Sequence, residues 1–259
     1  MLTRVLEPEF MDTQEEAHDY DTMDHAEVNR RFADDFLTAL CRGDANSKHL
    51  PLPRGEGRVG KDSPWRGEGA SSANLPLQIL DLGTGTAQIP IELCRRGQRL
   101  QILAVDAAGH MLVNARRNVA AAGFSEQIEL AQTDAKRLPL GDASYDCGIS
   151  NSIIHHLPEP GACLREAVRV VRPHGLLFFR DLLRPESEAE LNSLVDRYAP
   201  RGLHSPAAAR QRDLFAASLR AALTLAEIRN LIVPMGFSEE TVEQTSDRHW
   251  TWSARKPCG

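Results

Sequence analysis

From Leu77 onward the chain alternates between two periods. Short apolar runs at Leu77–Asp81, Ile102–Asp106, Ile128–Ala131, Tyr145–Ser150 and Leu176–Asp181 predict strands. Between them, Ala87–Arg96, Met111–Ala122 and Ala162–Val171 repeat at helical spacing and stop at Gly97, Gly123 and Pro173. Strands that read as continuous apolar runs and alternate with amphipathic helices indicate βαβ units and a parallel sheet covered on both faces. Helices are then predicted at Glu186–Tyr198 and Ala207–Ala222. A third starts at the Thr224/Glu227 capping-box pair and ends near Gly236. Two closing strands, Glu239–Gln244 and His249–Lys256, surround a turn. Trp250 and Trp252 there read as core residues.

Ahead of this region lies a different texture. Val28, Phe32, Phe36, Leu37 and Leu40 share one face of a helix predicted over 25–42, with Asp24 as its cap and Gly43 just past its end. A second helical turn is expected near 13–20. Residues 43–76 hold six Gly and four Pro and repeat Arg-Gly-Glu-Gly at 54–57 and 66–69. So few large apolar groups cannot offset the entropy of ordering, and a flexible insertion over 44–76 is expected. This divides the chain into an N-terminal helical cap (1–43), the insertion and a main domain (77–259).

Composition narrows the function. The 259 residues suffice for one large α/β domain, and the net charge of −6 argues against a phosphate-driven nucleic-acid binder. Residues 7–35 carry eleven acidic side chains against Arg30 and Arg31. The five cysteines form no C-x-x-C pair, so neither a disulfide framework nor a metal knuckle is expected, and reduced thiols suit a cytoplasmic protein. No signal peptide or membrane-spanning run is apparent.

Candidate chemistry lies at strand ends. Asp81-Leu82-Gly83-Thr84-Gly85-Thr86-Ala87 follows the first strand and opens a helix, with Gly83 and Gly85 allowing a tight turn against a ligand. Asp106 ends the second strand, where a carboxylate can accept both hydroxyls of a ribose. Asp134 follows the third and suits an exocyclic amine. A nicotinamide fingerprint fails at Gln88, and no tyrosine is followed by lysine four residues on; the sole Gly-Lys, Gly60-Lys61, precedes Asp62 and makes no phosphate loop.

Over 77–183, and through the closing strands, the sequence resembles the class I S-adenosylmethionine-dependent methyltransferases. Their first motif, an acid followed by x-Gly-x-Gly-x-Gly, appears here with Ala87 in place of the third glycine. The resemblance implies a doubly wound, seven-stranded, mostly parallel sheet. It also implies cofactor contacts from Asp81 (amino group), Gly83 and Gly85 (methionine part), Asp106 (ribose), Asp134 (adenine) and Asn151. The stretch Ser150–Leu157 lacks the Asn/Asp-Pro-Pro-aromatic motif of nucleic-acid amino-methyltransferases. Its His155-His156-Leu157 looks like the small-molecule branch, including quinone-biosynthesis enzymes. Methyl transfer to a small-molecule acceptor is therefore expected, with neither nucleic acid nor membrane as partner and no metal. A non-catalytic cofactor-binding protein is the alternative. His156 and Asp181 are the catalytic candidates, with Arg184 either meeting the substrate or pairing with Asp181. In a plainer reading, one of the two histidines caps the turn and the other is exposed. By the same resemblance, the N-terminal helices cross the carboxyl edge of the sheet and help form the acceptor pocket.

Overall fold

A computed structural model describes residues 2–7, 26–44, 75–97, 99–199 and 206–258. The turn expected near 13–20 and the interior of the 44–76 insertion lie outside them.

Seven strands form one sheet: β1 (Leu77–Leu82), β2 (Leu100–Asp106), β3 (Ile128–Gln132), β4 (Tyr145–Asn151), β5 (Val171–Leu182), β6 (Val242–Gln244) and β7 (His249–Arg255). Their order is β3-β2-β1-β4-β5-β7-β6. β1 pairs in parallel with both β2 and β4, β2 with β3, and β6 runs antiparallel to β7. The order reverses at β1, which makes the carboxyl ends of β1, β2 and β4 the topological switch point, the place where open α/β sheets bind ligands. Among the described residues, seven α-helices accompany the strands: α1 (Ala26–Asp44), α2 (Gln88–Cys94), α3 (Gly109–Ala122), α4 (Pro160–Val170), α5 (Glu188–Tyr198), α6 (Pro206–Ala221) and α7 (Leu225–Ile232). No described helix is long and apolar enough to cross a membrane.

The chain groups into two compact units. One comprises Met11–Asn151, Ala162–Phe179 and Ser253–Gly259; the other comprises Met1–Phe10, Ser152–Gly161 and Arg180–Trp252. We call them the glycine-turn unit and the histidine unit. The core of the first joins Ile79, Ile91, Ile102, Leu112, Ile149 and Phe178 to Phe32 and Phe36 of α1. In the second, Leu182, Leu191, Leu194 and Leu219 pack with α5 and α6.

Several sequence expectations shift by physical cause. α1 continues through Gly43 to Asp44, so Gly43 does not end it. Glu239–Thr241 form a 3₁₀ turn capped by the Ser238 hydroxyl, leaving only Val242–Gln244 as strand. Strand five starts at Val171 rather than Leu176. Its early backbone is paired, with His174 N–H donating to Lys256 O at 2.8 Å and Lys256 N–H to Gly175 O at 2.9 Å.

α1 is seated differently from the expected cap. Phe32 and Phe36 are fully buried and meet the Phe178 ring edge-on, at centroid distances of 5.2 and 5.8 Å. Arg96, just past α2, donates to Arg30 O and pairs with Asp34, and Arg255 donates to Leu40 O at 2.7 Å. Arg96 and Arg255 sit at the edge opposite the glycine turn, so this helix covers a sheet face. Burying a phenyl ring is worth about 1.5–3 kcal/mol, which an open edge does not supply. The helix is thus part of the core, and deleting it should not spare the sheet. Phe36→Ala should cost about 3–5 kcal/mol by chemical denaturation. A cost below about 1 kcal/mol would show that α1 is dispensable to the unit.

Candidate functional site

The glycine-turn unit builds its candidate site from the ends of three strands. After β1 the backbone enters the left-handed region at Gly83 (φ 70°), Gly85 (φ 56°) and Ala87 (φ 63°). Glycine adopts this at no steric cost, whereas Ala87 pays roughly 1–2 kcal/mol. Gly83 and Thr84 N–H groups donate to Val105 O at 2.9 and 3.0 Å, which pins the turn to β2. Asp106 fixes it further: its Oδ2 accepts from Gly85 N–H at 2.7 Å and its Oδ1 from Ala108 N–H at 2.9 Å. Ser150 Oγ donates to Leu82 O at 2.8 Å, binding the end of β4 to that of β1. Asn151 is the last residue of β4 and is half-buried. Asp134 is exposed, and its Oδ1 accepts from Lys136 N–H at 2.9 Å and pairs with Lys136 Nζ.

Three buried polar atoms on this turn lack hydrogen-bond partners among the described residues: Asp81 Oδ2, Thr84 Oγ1 and Thr86 Oγ1. Such groups cost about 1–3 kcal/mol each unless a ligand satisfies them. Burial pushes the Asp81 carboxyl up to about 7. The Thr84 hydroxyl offsets part of this without reaching hydrogen-bond geometry, and the Asp106 charge adds to it. A ligand ammonium would supply what Asp81 lacks. The two threonines escaped the sequence reading because they occupy variable positions of the motif.

The histidine unit holds a second cluster. Asp181, on β5, is buried, with Oδ1 paired to His155 Nδ1 at 2.5 Å and Oδ2 accepting from Ile154 N–H at 2.5 Å. Leu182 N–H also donates to Oδ1, so this carboxylate is occupied in holding the turn Ile154–His156. Burial pushes Asp181 up, but the His155 charge and hydrogen bond hold it below the usual range. Burial likewise pushes His155 down, and Asp181 followed by Glu7 more than offsets this, so it is raised. His156 falls to about 3, through burial and then the His155 charge, and is neutral at pH 7. Neither histidine is exposed, contrary to the plainer reading. Arg184 does not pair with Asp181. It binds Glu227 at 2.6 Å and Ala222 O at 3.0 Å, because Glu227 caps α7 within its reach.

Residues 2–7 join this cluster. Arg4 donates to Ala221 O (2.7 Å), His155 O (3.3 Å) and Leu157 O (3.0 Å), and Val5 N–H to Arg220 O. These bonds bring Glu7 beside both histidines. No sequence pattern pointed to it, since nothing local links position 7 to position 155.

A doubly wound sheet with this strand order, a glycine turn at its switch point and an antiparallel closing pair defines the class I S-adenosylmethionine-dependent methyltransferase fold. Residues 80–179 match the family described as "Methyltransferase domain". Demethylmenaquinone methyltransferase of Desulfitobacterium hafniense (strain Y51) is 33% identical over 129 residues, covering 49% of this chain and 51% of that one. Malonyl-[acyl-carrier protein] O-methyltransferase of Xylella fastidiosa (strain M23) is 36% identical over 120 residues, covering 45% and 38%. The chain spans about half the length of the former and less of the latter. A solved S-adenosylmethionine-dependent methyltransferase from Aquifex aeolicus shares the fold with a TM-score of 0.51 at 20% identity, over 70% of this chain and 82% of that one. Residues 80–179 of this chain are thus similar to methyltransferase domains, and the fold is that of S-adenosylmethionine-dependent methyltransferases.

A pH test follows from Asp81. Unfolded, its carboxyl titrates near the ordinary value of about 4; folded, near 7. Between those values the folded chain retains a proton that the unfolded chain has lost, so this group's contribution to stability falls as pH rises from about 4 to about 7 and is flat above. In the cofactor-free protein, Asp81→Asn should therefore raise Tm relative to wild type at pH 8 more than at pH 4.5. The difference should be on the order of 2–4 kcal/mol. An equal offset at both pH values would show that Asp81 ionises normally.

Proposed function

We propose that the protein transfers the methyl group of S-adenosyl-L-methionine to a small-molecule acceptor, with residues 77–259 as the domain that carries the activity. The observation that supports this best is the buried, unpartnered Asp81 oxygen on the glycine turn, which the ammonium of an amino-acid moiety would complete. Asp81, Gly83 and Gly85 would hold the methionine part, Asp106 the ribose and Asp134 the adenine, with Asn151 at the end of the adjoining strand.

The cofactor's sulfonium supplies an activated methyl group. The chain contributes alignment and exclusion of water, which can be worth about 7–11 kcal/mol. An acceptor that must lose a proton needs a base, worth about 10²–10⁴-fold. We assign proton handling to the histidine cluster. Asp181 positions His155, and His156 keeps its Nδ1 lone pair free of hydrogen bonds. Several relatives are named as quinone methyltransferases, so hydroxylated quinones are the first acceptor class to test. Five free thiols fit a reducing, cytoplasmic setting.

Calorimetric titration should show binding of S-adenosyl-L-methionine and its demethylated product but not of a nicotinamide dinucleotide. Asp106→Ala should weaken both by about 1.5–3 kcal/mol, the scale of a lost hydrogen bond to a charged group. Labelled methyl should then appear in a demethylated quinone or another small hydroxylated acceptor. Binding without turnover on any acceptor would leave a cofactor-binding protein, and unchanged affinity of Asp106→Ala would remove the ribose assignment.

A further inference from the structure

Three side chains of the histidine unit each bring a possible ligand atom close to the other two. One ligand atom from each of Glu7, His155 and His156 lies within 4.8 Å of the other two. Glu7 Oε1 is 3.7 Å from His155 Nε2 and 3.9 Å from His156 Nδ1. The side chains are 8%, 4% and 19% exposed. Glu7 Oε1 and His156 Nδ1 are buried atoms without a hydrogen-bond partner among the described residues.

A hydrogen bond does not span these gaps. N–H···O bonds span about 2.7–3.2 Å, and both gaps exceed that. Donor atoms that share a tetrahedral zinc, each about 2.0–2.2 Å from the metal, stand roughly 3.3–3.5 Å apart, close to the separations seen. The surroundings are also those of a ligand set. Asp181 takes up His155 Nδ1 at 2.5 Å and so directs Nε2 toward Glu7, the carboxylate–histidine arrangement that orients metal ligands. Arg4, by its bonds to His155 O and Leu157 O, holds the turn that presents both imidazoles.

We propose that Glu7, His155 and His156 form a binding site for one divalent transition-metal ion, zinc in the first instance, with Asp181 as the positioning residue. Two imidazoles and one carboxylate suit zinc and leave a fourth position open to water or an oxygen ligand. Such a site goes beyond the methyl-transfer reading and does not depend on it; a bound ion takes the His156 Nδ1 lone pair, so proton handling by that imidazole belongs to the metal-free chain. On binding, the ion takes the lone pair of His155 Nε2, and any proton held there passes to solvent.

The test uses the full chain, stripped with a chelator and titrated with zinc chloride against a chromophoric competitor, without cofactor. One zinc per chain is expected. Glu7→Gln and His156→Gln should each weaken it at least 100-fold, and Asp181→Asn about 10–100-fold. Circular dichroism confirms that each variant is folded. Cys258 Sγ lies 2.9 Å from His174 Nε2 on the exposed surface and is a rival site. Cys258→Ser should leave the tight zinc in place. Cobalt loaded into the wild-type chain should show ligand-field bands without a thiolate charge-transfer band, a readout that needs no variant. Absence of stoichiometric zinc in the wild type, loss of it in Cys258→Ser, or a thiolate band would each overturn the site. Cofactor affinity measured on the same preparation keeps that outcome separate from a failure of the methyltransferase reading.

Discussion

A carboxylate inside a parallel sheet is the constraint around which the glycine-turn unit is arranged. Asp81 takes a place in β1 that its neighbours fill with leucine and isoleucine, and one of its oxygens finds no donor. Isolated buried charge is too costly to keep, so without a ligand the group takes up a proton. Everything adjacent serves to hold that oxygen at the switch point. The turn is pinned to β2 through Val105, Asp106 clamps Gly85, and Ser150 ties β4 to β1. A cradle fixed in advance loses little conformational freedom on binding, which is how preorganisation converts contacts into affinity.

The histidine unit solves the opposite problem. Its buried acid, Asp181, is saturated by backbone N–H groups and an imidazole, and is therefore held ionised. The two aspartates thus take contrasting states for a physical reason. One is surrounded by donors. The other is buried on the glycine turn with one oxygen that meets no donor among the described residues.

The strands, the glycine turn and the acids after successive strands were legible because each rests on local pattern: an apolar run, a helix start, an acid in register. Asp106 and Asp181 could be placed from the sequence, yet the partner of Asp181 could not, because Arg184 is its nearer neighbour in sequence and His155 its neighbour in space. Thr84 and Thr86 were hidden in variable positions of a motif. Glu7 was unreadable, since the segment carrying it reaches the histidines only through bonds such as that from Arg4 to His155, 151 residues apart. The stripe on α1 showed that something must cover it without showing what, and a partner on β5 is supplied by topology alone.

That covering has a consequence in time. Phe36 leaves the ribosome well before Phe178 exists to meet it, with about 140 residues between them. At synthesis rates of about 5–20 residues per second, the two phenyl rings of α1 wait on the order of ten seconds for their place in the core. Through that interval the helix is an unprotected apolar stripe on an unfinished chain, a target for chaperones and for other nascent chains alike.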